Sequence, residues 1–133
     1  MRILKSLLIL SSIIFSLASN AALPPLSQED REAYSSNIIT GVVVDMTMRA
    51  EAGYRSVDNI YTVTLASTSV EKGDDMSSLI KFSFWRAFSR PEGWCGPGGQ
   101  YGMMKIGDTV RAYILKNDED NYELIEPNGF DKL

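Results

Sequence analysis

From residue 38 onward, apolar side chains recur at every second position in five short runs, and this alternation constrains the fold more than any other feature of the chain. Successive side chains of a strand point to opposite faces, so a period of two marks strands with one face in a core. In residues 38–48, Ile38, Val42, Val44, Met46 and Met48 share one parity, with Thr40 the polar exception. Gly41 interrupts that run and predicts a bulge or a sharp coil. In residues 60–70, Tyr61, Val63 and Leu65 alternate with Thr62, Thr64 and Ala66. Residues 79–88 place Ile80, Phe82, Phe84 and Phe88 on one face, and residues 109–115 do the same with Val110, Ala112 and Ile114. Residues 122–126 read as a fifth strand, stopped by Pro127-Asn128-Gly129. No heptad or long helical period competes with this pattern.

The connections are read from their breakers. Residues 49–59 are polar, contain Gly53, and predict a long hairpin loop. Residues 71–75 and 116–121 read as charged turns. Residues 90–102 hold the densest Gly and Pro of the chain, which a regular helix or central strand does not tolerate. Ahead of the strands, Ser27 followed by Asp30 resembles a capping box and predicts a short helix from Gln28 to Tyr34. Five strands in about 90 residues, one of them kinked, predict a small closed barrel, because closure removes exposed edges. A sandwich usually wants about seven strands. The fold class expected is therefore all-β, with residues 22–37 as lead-in and residues 38–133 as the domain.

The N-terminus carries a different signal. Arg2 and Lys5 precede an apolar run from residue 7 to 17, and Ala18-Ser19-Asn20-Ala21-Ala22 supplies small residues where a signal peptidase would cut. A membrane-spanning helix needs about 20 continuous apolar residues, and Ser11, Ser12 and Ser16 break this shorter run. Residues 1–21 thus read as a signal peptide, and the mature chain is expected in the periplasm or outside the cell, without a membrane anchor.

Cleavage would remove 2 of the 13 basic residues and none of the 17 acidic ones, leaving a mature net charge of −6. Such a surface repels nucleic acid, which is bound through basic contacts to phosphate. The chain has no histidine, so the commonest general base and metal ligand are missing, and with them any Ser-His-Asp system. Its one cysteine, Cys95, can form a disulfide only with a second copy.

At the level of longer strings, several segments resemble an oligonucleotide/oligosaccharide-binding (OB) barrel. They are the glycine-kinked first run, the stretch from Tyr61-Thr62-Val63 to Val70-Glu71-Lys72-Gly73, Lys105-Ile106-Gly107-Asp108-Thr109-Val110-Arg111-Ala112-Tyr113, and Tyr122-Glu123-Leu124-Ile125-Glu126-Pro127-Asn128-Gly129. The Val-Glu-Lys-Gly and Ile-Gly-Asp-Thr-Val strings are similar to those of netrin-like modules, which are exported barrels of that type. The resemblance implies a five-stranded OB-like barrel that binds another molecule through one face and its loops. The chain departs from it in carrying the Gly/Pro-rich segment where a helix between the third and fourth strands is usual.

Candidate chemistry concentrates in that segment. Trp94-Cys95-Gly96-Pro97 resembles the start of the thioredoxin motif, but Gly98 stands where the resolving cysteine belongs. Arg86, Arg90, Trp94, Gln100 and Tyr101 bring together cationic, aromatic and amide groups that suit a protein partner or a small polar ligand. Asp118-Glu119-Asp120 lacks the glycine and later glutamate of a calcium loop. No metal site, cofactor motif or paired catalytic carboxylates are found. The expected function is a non-enzymatic exported binding module acting through the loops at residues 90–102 and 49–59. The alternatives are a periplasmic inhibitor or immunity-type protein, or a monothiol redox protein using Cys95. A disulfide through Cys95 would make a homodimer.

Overall fold

The computed structural model describes residues 23–74, 77–119 and 121–133. The expected signal peptide lies outside them. The described residues are mostly β with one short helix, α1 (Gln28–Tyr34). Ser27 caps α1, its side chain accepting from the Asp30 N–H at 3.1 Å, so the capping signal in the sequence operates. Arg31, buried on the helix, spans to the C-terminal segment. It pairs with Asp131 at 2.9 Å and lies 4.5 Å over the ring of Tyr113.

Six strands follow: β1 (Asn37–Gly53), β2 (Ser56–Lys72), β3 (Leu79–Ser89), β4 (Thr109–Lys116), β5 (Tyr122–Leu124) and β6 (Phe130–Lys132). They form one sheet in the order β1-β2-β3-β5-β4-β6, with β1 also pairing β4. The expected closed five-stranded barrel is not what forms. A barrel needs a hydrogen-bonded ladder along every seam. At the β3–β5 seam the two strands run parallel and join at a single pair, Ser83 with Glu123. β6 is a strand the alternation did not reveal, because three residues are too few to show a period.

β1 and β2 are the largest departure from expectation. Seventeen residues each, they pair from Ile38/Lys72 out to Gly53/Ser56, so the long loop expected at residues 49–59 is a two-residue turn, Tyr54-Arg55, on a projecting hairpin. Arg55 sits at φ 54°, in the left-handed region the tight turn demands.

The core takes Ile39, Val43, Val63, Leu65, Ile80, Phe82, Phe84, Met104, Val110, Ala112, Ile114 and Leu124. In β2 and β4 the inward parity is the one the alternation marks. In β1 it holds in part: Ile38 is buried in a second cluster with Tyr113 and Ile125 and Met46 packs on the core, but Ile39 and Val43 of the other parity are buried while Val44 and Met48 are exposed. Of the three register shifts, those at Ile38/Ile39 and Thr40/Gly41 place the extra residue on β2; the one at Val43/Asp45 inserts Val44 into β1 and exchanges its faces, so that Met46 returns to the core side. Phe88, expected inside, is also exposed, because β3 has passed the edge of the core there. Gly41 is required by proximity: a Cβ there would stand 2.3 Å from the Ala66 carbonyl oxygen.

Candidate binding groove

The register places a row of side chains across the outer face of the first three strands. Arg49 of β1 pairs with Ile60 of β2, and Ile60 with Trp85 of β3; one step toward the hairpin tip, Glu51 pairs with Asp58 and Asp58 with Ala87. Trp85 lies on the parity opposite to Phe82 and Phe84, which face the core. Where β3 and β5 part on one side of the Ser83–Glu123 bridge, a groove of about 390 Å³ opens, lined by Arg49, Asp58, Ile60, Ser83, Phe84, Trp85, Glu123, Leu124 and Glu126. On the other side a depression of about 370 Å³ shares Arg49, Ile60, Ser83 and Glu123 and continues to Lys81, Glu119 and Tyr122. The two make one trough straddling the bridge.

Its polar groups are partly committed. The Trp85 indole N–H donates to Glu126 Oε1 at 2.5 Å, which fixes both side chains along the wall. Asp58 is paired with Arg90. Arg49 pairs with Glu51 at 2.9 Å, in the open. Among the described residues Glu123 and Glu126 have no basic partner, so the β5 side of the trough is negative. It offers part of the Trp85 ring, apolar Ile60, the Glu123 carboxylate on β5 and the Glu126 carboxylate just past that strand. That arrangement suits a cation with an apolar stem more than it suits acid–base chemistry.

Of the residues singled out from the sequence, the structure brings Arg86 to Gln100 and Arg90 to Trp94, while Tyr101 reaches Leu23. Gln100 is 2% exposed, and its side chain ties the backbone of Ile125 and Gly129. Arg86 donates to the Gln100 carbonyl at 3.3 Å. Tyr101 donates to the Leu23 carbonyl. Arg90 pairs with Asp58 and lies between two rings, 5.8 Å from the centroid of Trp85 and 5.6 Å from that of Trp94. Trp94 is half exposed on the outside of that stack. The segment they share is laid along the sheet. Ala87 N–H donates to the Gly98 carbonyl and Gln100 N–H to that of Trp85, both at 2.9 Å, and Gly99, at φ +81°, presses on the Trp85 backbone.

These placements overturn the loop-based function. One of its two loops is a two-residue turn, and the other is fastened to β3 and the C-terminal segment instead of standing free at a barrel mouth. The inhibitor or immunity reading has no separate support once those loops are gone. Cys95 is exposed, and among the described residues it has neither a second cysteine nor a helix N-terminus beside it to make it a redox thiol. Also among the described residues, no group of three or more His, Cys, Asp or Glu side chains could hold a metal ion, and no helix is long and apolar enough to cross a membrane.

Comparison with protein-family models, curated proteins and solved structures finds no match to this chain. The OB and netrin-like resemblance is therefore unsupported on both counts, by likeness and by topology. The trough was missed because its residues, Asp58, Ile60, Trp85, Glu123 and Glu126, come from three segments. One signal was present: Trp85 is a large aromatic on the solvent parity of an otherwise well-patterned strand.

Proposed function

We propose that this chain is an exported, non-enzymatic protein whose outer trough receives a basic, extended segment of a partner protein. Trp85 carries the reading: a tryptophan face held on a strand, with Glu126 fixed to its indole and Glu123 beside it. Arg90 already lies on one side of that ring; a lysine or arginine stem of the partner packs on the side that lines the trough, where a cation gains about 0.5–2 kcal/mol, while its charge meets the carboxylates. The trough runs past the bridge on both sides, which suits an extended chain better than a compact ligand. Export is supported by the N-terminal leader pattern, and a non-catalytic role by a sequence without histidine.

The test is an NMR titration of the isotopically labelled mature protein with a lysine-rich decapeptide. The Trp85 indole signal should shift saturably, with the second tryptophan, Trp94, serving as internal control. Affinity should fall with added salt, as exposed charge pairs are screened over about 8–10 Å. Glu123→Lys should weaken binding at least several-fold. Shifts confined to residues outside the trough, or none at all, would refute the assignment.

A further inference from the structure

The projecting hairpin has an open edge. β1 pairs with β4 only from Asn37 to Val42, and Val43 adds backbone bonds to Asp108 and Gly107. From Asp45 to Gly53 its only strand partner among the described residues is β2. This half of β1 is exposed apart from Met46, and Tyr54 at the tip is 87% exposed. An edge of this kind offers unpaired N–H and C=O groups to another strand.

The direction of those groups follows from the turn. Gly53 and Ser56 flank a two-residue hairpin turn, so they form a hydrogen-bonded pair. No register shift intervenes between Asp45 and Gly53. By alternation, Glu51, Arg49, Thr47 and Asp45 direct their backbone groups toward β2, and Ala52, Ala50, Met48 and Met46 direct theirs outward.

The charges along the same stretch are self-complementary. We propose that a second copy of this chain pairs antiparallel with this edge about a two-fold axis at Ala50, forming a homodimer through the hairpin. Arg49 then stands opposite Glu51 of the partner subunit. Each contact occurs twice, as a two-fold axis requires. On the other face Met48 meets the partner's Ala52. The neighbouring registers with the same backbone parity fail. Centred on Arg49 or on Glu51, that residue faces its own copy across the axis; centred on Met48, Glu51 faces the partner's Asp45; centred on Ala52, the pairing is cut short by the turn that follows Gly53. Centred on Thr47 or Met46, the pairing runs into Val43, whose outer backbone groups Gly107 and Asp108, just ahead of β4, already occupy. Opposite-charge cross-strand pairs stabilise a ladder and like charges destabilise it, so the charge order selects both the partner and the register.

Sedimentation equilibrium of the mature protein with reductant present, which removes any Cys95 disulfide, tests this. A reversible dimer is expected. Arg49→Glu or Glu51→Arg alone sets like charges opposite each other at two places, and the dimer Kd should rise about tenfold, which corresponds to about 1.4 kcal/mol. The double exchange R49E/E51R should restore the Kd to within about threefold of the parent. Ala50→Pro removes an outward N–H without touching the bonds to β2, and should give a folded monomer. A monomer for the parent protein up to about 1 mM, a dimer indifferent to Ala50→Pro, or a double exchange that fails to rescue would each overturn the proposal. It shares only Arg49 with the trough, so Ala50→Pro should leave the peptide titration of the Trp85 indole unchanged.

Discussion

Replacing Gln100 by Leu separates a structural glutamine from a ligand-binding one. Gln100 Nε2 donates to the Ile125 carbonyl at 2.6 Å, and its Oε1 accepts from the Gly129 N–H at 2.9 Å, both away from water. Leu keeps much of the volume but leaves that carbonyl and that N–H without these partners. Gly129 cannot easily move to find another, since a Cβ there would lie 2.3 Å from the Ile125 oxygen. An orphaned buried polar group costs about 1–3 kcal/mol, and the extra apolar burial of Leu returns about 1 kcal/mol. The net loss should be about 2–4 kcal/mol, a large share of the roughly 5–15 kcal/mol typical of a domain. Urea unfolding followed by tryptophan fluorescence should show the midpoint falling by about 1–3 M with an unchanged slope. Peptide-induced shifts at Trp85 should survive in the folded fraction. A stability loss below about 0.5 kcal/mol would refute the assignment of Gln100 as the clamp between the glycine-rich segment and the C-terminal one.

Two further outcomes are expected. Gly41→Ala drives a Cβ into the Ala66 carbonyl and the Leu65 side chain of the paired strand, and should cost more than about 2 kcal/mol by thermal or urea unfolding. Asp108 is held ionised, its carboxylate accepting from the Lys105 N–H, with Lys132 beside it, and its pKa is lowered from 3.8. Its contribution to stability is therefore complete above that value and fades as pH falls through the lowered folded-state pKa. Asp108→Asn should flatten this part of the acid limb, and an NMR titration of the parent should place the Asp108 midpoint below 3.8.

Trp85 and Val44 show where sequence reading succeeds and where it stops. Alternation groups the residues of a strand that share a face, and in β2 and β4 the apolar group is the inward one. In β1 the shift at Val43/Asp45 inserts Val44 and exchanges the faces, and no local residue announces it. Trp85 stood out as an aromatic of the wrong parity. Its partners Asp58 and Glu126 are more than twenty-five residues away in either direction, so only the pairing of strands could bring them together.

The chain's own order of residues determined that it would be built of strands, that a capped helical turn would precede them, and that histidine chemistry was closed to it. These are consequences of local sterics and composition, felt within a few residues. Tertiary structure decided which edges pair, that the β3–β5 seam stays open beside Trp85, that the glycine-rich segment is fastened down through Gln100, and that one edge of the β1 hairpin is left bare. Each of those depends on backbone groups finding partners from distant segments, and the free energy of such a choice belongs to the pair and to neither residue alone.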